Sequence, residues 1–230
     1  MSCGTPDAFC TERLQEREIM ILYILDLGQF EKSEYCTEQS KHKKHHEAGQ
    51  FLLRRALGDE IYEQVEFAKN EHGKPYIVGL PIHYNISHSG YFVVLVTSDA
   101  EVGVDIQEKR RARMESVAKR FFSEEEWQAI SLCESEEEKQ NLFYRIWCRK
   151  EAYGKYLGVG LSNHLLSVNV LEEPIALSAE NVEENPEDNV YRKQKLIKFR
   201  DLEITPDYQI SICSRKGEHL EKIVSVFEGL

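Results

Sequence analysis

The sequence predicts an α+β protein made of two lobes of similar size. The chain has 230 residues and is 41% hydrophobic, which suffices for the core of one large domain or two small ones. Apolar runs of strand length alternate with longer segments of helical period, and each half contains both in similar amounts. No internal sequence repeat is obvious. We place the boundary after residue 107, so that residues 1–107 form an N-terminal lobe and residues 108–230 form a C-terminal lobe.

The N-terminal half combines one long helix with several strands. Residues Cys36 to Leu57 have helical spacing of apolar side chains, and Gly58 is a suitable stop. Residues Lys69 to Pro75 form a polar turn. Apolar, β-branched and aromatic runs predict four strands, at Met20 to Leu27, Tyr84 to Ser87, Tyr91 to Ser98 and Val102 to Ile106.

The C-terminal half begins with two helices. Ser123 to Glu126 and Ser135 to Glu138 both fit the capping-box pattern, and the second helix should end near Leu157, before Gly158. The acidic segment 180–189 contains a proline and predicts an exposed loop. Further strands are predicted at Leu166 to Val170, Lys195 to Ile204, Tyr208 to Ser214 and Lys222 to Phe227.

Composition excludes several classes of protein. No run of 18 apolar residues occurs, and the start lacks the basic and apolar regions of a secretory signal, so neither a membrane span nor secretion is expected. Ser2 stands where N-myristoylation needs glycine. The six scattered cysteines favour reduced thiols over a disulfide framework. A formal charge of −11 disfavours non-specific nucleic-acid binding. We expect a cytoplasmic monomer.

Two carboxylates from different elements predict a site for a metal and a phosphate. Asp105 ends an apolar strand, where an unpaired charge would be costly. Glu151 and Lys155 lie one turn apart on one helix face. Each feature also has an ordinary explanation, because Asp105 could cap a turn and the helix pair could be a surface ion pair. Together, they suit Mg²⁺, which prefers oxygen ligands and retains water.

Three polar segments are candidate anion contacts. Residues 87–90, Ser-His-Ser-Gly, lie between apolar strands and could hold a phosphate or simply form a hairpin connection. Residues 73–75, Gly-Lys-Pro, lack the other features of a Walker loop. The basic run 41–46 could be a solvated helix face, a phosphate contact or a metal site; its histidine spacing does not fit the metalloprotease motif.

The ordered segments together resemble a phosphopantetheinyl transferase of the surfactin-synthetase-activating type. The resemblance runs from about residue 73 to 161 and is looser outside this region. The matching segments are Gly73-Lys74-Pro75, Tyr84-Asn85-Ile86-Ser87-His88-Ser89-Gly90, Val102-Gly103-Val104-Asp105-Ile106, Arg120-Phe121-Phe122-Ser123 with Glu126-Trp127, residues 143–155 with Trp147 and Glu151, and Gly158-Val159-Gly160-Leu161.

The resemblance implies two pseudo-symmetric α+β lobes with coenzyme A in the cleft between them. It implies Mg²⁺-dependent transfer of the 4′-phosphopantetheine arm to a serine of an apo acyl or peptidyl carrier protein, which leaves adenosine 3′,5′-bisphosphate. The implied roles are Mg²⁺ binding by Asp105 and Glu151, pyrophosphate contact by Lys155, coenzyme A phosphate contacts by Ser87 and His88, and nucleotide contacts by Lys74 and Pro75. Glu151 could remove the serine proton directly or through a water on the metal.

Gln107 departs from the family pattern. Many members continue the strand as Asp-Ile-Glu, so one acid is replaced here by an amide. The amide oxygen of Gln107 could still bind Mg²⁺, or a water could replace it. The missing acid does not by itself argue for an inactive protein, because Asp105 and Glu151 remain. The alternative function is a non-catalytic coenzyme A or nucleotide-binding module, followed by a protein-interaction domain. The basic run 109–113 is either a docking patch for the carrier or a solvated linker.

Overall fold

The computed structural model describes residues 19–37, 40–110, 114–159, 168–176, 196–215 and 217–227. Within these ranges the chain alternates strands and helices. In chain order they are β1 (Ile19–Asp26), α1 (Leu27–Phe30), α2 (Lys41–Leu57), α3 (Asp59–Gln64), β2 (Phe67–Lys69), β3 (Pro75–Ile77), β4 (His83–Ser89), β5 (Phe92–Ser98), β6 (Val102–Glu108), α4 (Met114–Phe121), α5 (Glu124–Ser131), α6 (Glu136–Leu157), β7 (Ile175–Ala176), β8 (Leu196–Glu203), β9 (Tyr208–Arg215) and β10 (His219–Val226).

Two four-stranded sheets form the centre of the fold. The first has the order β10-β1-β5-β4 and the second the order β6-β9-β8-β7, while β2 and β3 pair as a separate hairpin. Only the β1–β10 pair is parallel among the described strands. The sheets pack through apolar residues such as Val94, Val96, Val104 and Ile212. Alternating side chains point to opposite faces of a strand, so each sheet keeps a second face for a helix.

Helices cover the outer faces of both sheets. Leu52 and Leu53 of α2 pack with Val93 and Leu95 of the first sheet. Helix α6 packs on the second sheet, where Phe143, Ile146 and Tyr153 share a buried cluster with Ile197, Phe199 and Cys213. The layers therefore follow the order helix, sheet, sheet, helix, and the predicted α+β class is confirmed. The pseudo-symmetric arrangement of lobes stays a prediction.

Several predicted boundaries are confirmed and others shift. Ser123 and Ser135 both form capping boxes, and Gly158 ends α6 with a φ of 71°. The helix predicted from Cys36 begins at Lys41, because Ser40 accepts a hydrogen bond from the Lys43 amide and caps it. Residues 168–170 form no strand, while the predicted residues 166–167 and the acidic segment 180–189 lie outside the described residues.

The turn predicted at residues 87–90 was placed too early. Ser87, His88 and Ser89 belong to β4 and pair with β5, so the connection is reduced to Gly90 and Tyr91. Polar residues usually indicate a turn at the surface. Here every second one of them, Ser87 and Ser89, instead contacts another polar group within the protein. The side chains of β4 are thus held in fixed directions by the sheet.

The sheets exchange strands across the predicted lobe boundary. Strand β10 from the end of the chain pairs with β1, and β6, which lies before residue 108 for most of its length, pairs with β9. The division after residue 107 stays a prediction. Within the described ranges no helix has the length and apolar character needed to cross a membrane. Among the described cysteines, Cys133, Cys148 and Cys213 are free thiols.

Candidate active site

The edge strands β4 and β6 are joined by hydrogen bonds between side chains and backbone. Every second side chain of β4 accepts from every second amide of β6: Asn85 from Val104 at 3.0 Å, Ser87 from Ile106 at 3.4 Å and Ser89 from Glu108 at 3.0 Å. Buried edge amides need partners, and these short polar side chains supply them. The ladder fixes the position of β6 relative to β4 and so places Asp105 beside Ser87.

Gly103 allows helix α6 to lie directly on β6. A Cβ atom at this position would be 2.1 Å from the carbonyl oxygen of Ala152, a distance no side chain could tolerate. Residues two apart on a strand share a face, so Asp105 also faces α6. Glu151 and Lys155 flank Ala152 on that helix. Gly103 therefore brings the carboxylate of β6 against the two charged side chains of α6.

Asp105 is the centre of a buried hydrogen-bond network. The Lys155 ammonium donates to Asp105 Oδ1 at 2.7 Å, to Ser87 Oγ at 2.8 Å and to the Val104 carbonyl at 3.1 Å. Ser87 Oγ donates to the same Oδ1 at 2.8 Å, and Gln107 Nε2 donates to Oδ2 at 2.7 Å. Asp105 is only 3% exposed. Both of its oxygens are thus partnered by donors from three different elements.

Glu151 completes the acidic part of the site. Burial, and then the nearby Asp105 charge, raise the pKa of Glu151 to about 7, whereas Lys155 opposes the shift. Two carboxylates beside one ammonium leave excess negative charge, which favours a proton or a cation there. A carboxyl group with a pKa near neutrality is suited to accept a proton at physiological pH. The predicted residues Asp105, Glu151, Lys155, Ser87 and Gln107 are therefore brought into one region.

Lys74 and Pro75 line a cleft beside this region. The cleft has a volume of about 240 Å³ and is lined by His72, Gly73, Lys74, Pro75, Asn85, Ile86, Gly154, Lys155 and Gly158. Lys74 pairs with Glu101, and its ammonium also donates to the carbonyl of Tyr156 at 3.0 Å. Lys74 thus sits at the cleft, but its charge is already used in bonds to Glu101 and to the end of α6.

His88 lies on the opposite face of β4 from Ser87. Its ring stacks on His45 of α2, with a centroid distance of 4.4 Å. Partial burial lowers the pKa of His88, and the nearby His45, Lys155 and His42 lower it further, with Asp105 opposing. The structure therefore separates Ser87, which contacts the acidic centre, from His88, which contacts α2.

Sequence reasoning missed the residues that anchor α6. Lys150 forms a fully buried ion pair with Glu126 at 2.8 Å and donates to the Val168 carbonyl at 2.7 Å. Glu126 also accepts from the amide of Val170 at 2.8 Å. The sequence signals for Glu126 were the capping box and the matching segment Glu126-Trp127, and neither indicates a buried partner. This pair ties α5 and the segment near residue 170 to the helix that carries Glu151 and Lys155.

The donor set at Asp105 fits Mg²⁺. Asp105 and Glu151 offer carboxylate oxygens, and a magnesium site needs only one or two of these together with water and substrate phosphate. Gln107 presents its amide nitrogen to Asp105, so its oxygen could act as a ligand only after the amide turns. Among the described residues, no three His, Cys, Asp or Glu side chains form a metal cluster. The protein would therefore supply only part of the Mg²⁺ coordination shell, and water and substrate phosphate would supply the rest.

The comparisons identify the family of the chain. Residues 101–213 match the family model of the 4′-phosphopantetheinyl transferase superfamily. The chain is 30% identical to 4′-phosphopantetheinyl transferase Sfp of Bacillus subtilis (strain 168) over 85% of this chain and 86% of that protein. It is 32% identical to 4′-phosphopantetheinyl transferase psf-1 of Bacillus pumilus over 75% of this chain and 73% of that protein. The chain therefore belongs to the 4′-phosphopantetheinyl transferase family, as the sequence motifs predicted.

Proposed function

We propose that this enzyme transfers the 4′-phosphopantetheine arm of coenzyme A to a serine of an apo carrier protein. The observation that carries the proposal is the network in which Lys155 and Ser87 meet Asp105, with Glu151 beside them. These groups lie next to a cleft that Lys74, Pro75 and Lys155 line. The names of the relatives support the same reaction.

The reaction is attack of an alcohol on a phosphoric anhydride. The serine oxygen of the carrier forms a bond to the phosphorus that bears the pantetheine arm, and the bond from that phosphorus to the bridging oxygen breaks. Adenosine 3′,5′-bisphosphate leaves with the bridging oxygen. Such transfers depend mainly on positioning and on neutralising charge. A site rich in fixed donors and cations therefore suits the chemistry.

Glu151 is the base in this proposal. Burial raises the pKa of Glu151 to about 7 in the metal-free site, which makes Glu151 the group there best suited to bind the serine proton. Lys155 reaches Ser87 and Asp105 from the same helix, so its ammonium can shift toward a pyrophosphate oxygen and offset the charge that develops on the leaving group. Glu151 thus handles the proton while Lys155 handles the charge.

Asp105 and Glu151 would hold Mg²⁺, with Gln107 as a further ligand if its amide turns. The ion, when bound, polarises the phosphate and offsets the charge of the pyrophosphate. Lys155 and Gln107 donate to the two oxygens of Asp105, so both donors would have to turn away for the carboxylate to bind the ion, while Ser87 holds the carboxylate in place. The excess negative charge near Glu151 is the local reason for a cation at this position.

Coenzyme A would enter by the cleft beside Lys74 and Pro75. Ser87 and His88 would contact its phosphates from β4. Lys74 would have to exchange its bond to Glu101 for a phosphate oxygen, since both compete for one ammonium group. The cleft volume of about 240 Å³ suits part of the ligand, with the remainder at the surface. We therefore assign the described cleft to the nucleotide end.

The acceptor is a small acidic carrier protein in this proposal. Lys109 has a side chain that is 4% exposed and pairs with Glu203, so it is used within the fold. The Arg110 side chain is 65% exposed and remains accessible to a partner, although it pairs with Glu108. Residues 111–113, the rest of the predicted docking run, lie outside the described residues. Charge attraction at Arg110 would act mainly on association.

Product analysis separates the enzyme from a non-catalytic binding module. The protein is incubated with coenzyme A, Mg²⁺ and apo carriers of the fatty acid, polyketide and peptide types, and released adenosine 3′,5′-bisphosphate is measured by chromatography. An enzyme releases the bisphosphate only when a carrier is present. A binding module would raise its own melting temperature with coenzyme A but release none, and that result would contradict the proposal.

A further inference from the structure

Helix α2 and strand β4 meet at two contacts that place His45 against His88. A Cβ atom built at Gly49 would lie 3.4 Å from Ile86, which is ordinary contact, so the helix backbone lies close to the strand there. His45 is one helical turn before Gly49, and His88 is two residues after Ile86 on the same strand face. The close approach at Gly49 therefore brings the two histidine rings together.

The geometry of the pair is fixed on the His45 side. The two rings are stacked at 4.4 Å with an angle of 26° between their planes. His45 is 6% exposed, and its Nε2 lies 3.2 Å from the carbonyl oxygen of Gly90. A carbonyl only accepts, so Nε2 carries the hydrogen. Gly90 has a φ of 57°, and Tyr208 fills the space beside it, so this carbonyl is held in place.

The charges around His88 disfavour its protonation in the free protein. His45 and His42 approach from α2, Lys155 approaches from α6, and Asp105 of β6 is the acidic group. Burial has the largest effect on the pKa of His88 and lowers it. The three basic neighbours lower this pKa further, and only Asp105 raises it. A bound phosphate would add negative charge and reverse the balance. Anion binding and protonation of His88 are therefore linked.

We propose that His45 is a positioning residue for His88: its ring holds the His88 imidazole in one plane, and the pair takes up a proton when a phosphate of coenzyme A binds. The proposal rests on the proposed function only in the identity of the ligand. His45 acts through His88 and makes no contact with the reacting atoms. Its effect should therefore appear in ligand binding rather than in the chemical step.

Two variants separate the stacking of the His45 ring from the polar and titrating properties of its imidazole. His45→Ala removes the stacked surface, and we expect the dissociation constant for coenzyme A to rise about tenfold, the scale of a weakened charge-assisted bond, while kcat at saturation changes less than about twofold. His45→Phe keeps a flat ring, and we expect it to restore binding to within about threefold of wild type. Equal weakening in both variants, or none in either, would overturn the positioning role.

The proton linkage has its own measurement. Calorimetry of coenzyme A binding in buffers of different ionisation enthalpy gives the protons taken up, and NMR titration of His88 gives its protonation without ligand. We expect wild type to take up protons when it binds coenzyme A at pH 7.5. We expect the titration midpoint of His88 to be higher in His45→Phe than in wild type. An unchanged midpoint, or no uptake in wild type, would overturn the linkage.

Controls keep this test separate from the proposed function. His219→Phe changes an exposed histidine on β10, at the far edge of the first sheet from β4, and should match wild type in every readout. The NMR titration needs no ligand, so it decides the pairing even if His45→Ala fails to fold. Coenzyme A binding with proton uptake but without carrier modification would support this inference and contradict the proposed transfer. Carrier modification without proton uptake would support the proposed transfer and contradict this inference.

Discussion

Replacing Glu151 by glutamine should stabilise the metal-free protein while removing its activity. The site raises the pKa of Glu151 from 4.5 to about 7, so the folded state binds this proton more tightly than the unfolded chain does. A raised acid pKa means that stability is present at low pH and is lost as pH rises through the window from 4.5 to 7. One pKa unit corresponds to about 1.4 kcal/mol, so the loss is about 3 kcal/mol at most, and solvent screening reduces it to about 2.

Urea unfolding in the presence of a chelator measures this difference. Wild type should lose about 2 kcal/mol more than Glu151→Gln between pH 5 and pH 8, since glutamine does not titrate. Glu137→Gln is the matched control, because Glu137 lies on the exposed first turn of the same helix. The turnover of Glu151→Gln should fall by about 10²–10⁴, the usual contribution of a general base.

Parallel pH profiles for wild type and Glu151→Gln would refute this reasoning. They would mean that Glu151 is neither desolvated nor close enough to Asp105 to be destabilised when ionised. Retained activity with an altered stability profile would contradict only the role as base. The two readouts therefore test the electrostatics and the chemistry separately.

Three further predictions concern neighbouring residues. Asp105→Ala should lower kcat/KM by at least about 10²-fold and abolish the dependence on Mg²⁺, because the carboxylate held by Lys155 and Ser87 is removed; activity within a few-fold of wild type would exclude Asp105 from the site. Gln107→Glu replaces a donor to Asp105 with a second acid, so half-maximal activity should need less Mg²⁺, or KM for coenzyme A should rise; overlaid Mg²⁺ and coenzyme A titrations would place the residue outside the site. His88→Ala should weaken coenzyme A binding by about 1.5–3 kcal/mol and affect kcat less, and an unchanged dissociation constant by calorimetry would contradict this.

Local patterns predicted the longer helix α2 and the helices α5 and α6, because their signals lie within a few residues, but they did not predict α1, α3 or α4. The capping boxes at Ser123 and Ser135 determined where α5 and α6 begin, and Gly158 determined where α6 ends. The strand carrying Asp105 was also predicted, since an apolar run needs no distant partner to be recognised. The sequence therefore placed Asp105 and Glu151 on the correct types of element.

Long-range contacts could not be read in the same way. Nothing local to β10 indicates that it pairs in parallel with β1, about two hundred residues earlier in the chain. The ladder from Asn85, Ser87 and Ser89 was hidden for the same reason, because polar residues alternating in a strand usually predict a solvent-facing edge. The buried pair of Lys150 with Glu126 likewise depends on how α5 packs against α6.

The transfer itself is tested most directly by the intact mass of an apo carrier protein. The carrier is incubated with the enzyme, coenzyme A and Mg²⁺, beside a carrier whose acceptor serine is replaced by alanine and beside the Asp105→Ala enzyme. We predict that the wild-type pair alone gains the mass of one phosphopantetheine group. No mass gain in any carrier tested, or an equal gain with Asp105→Ala, would contradict the assignment of this site to the transfer.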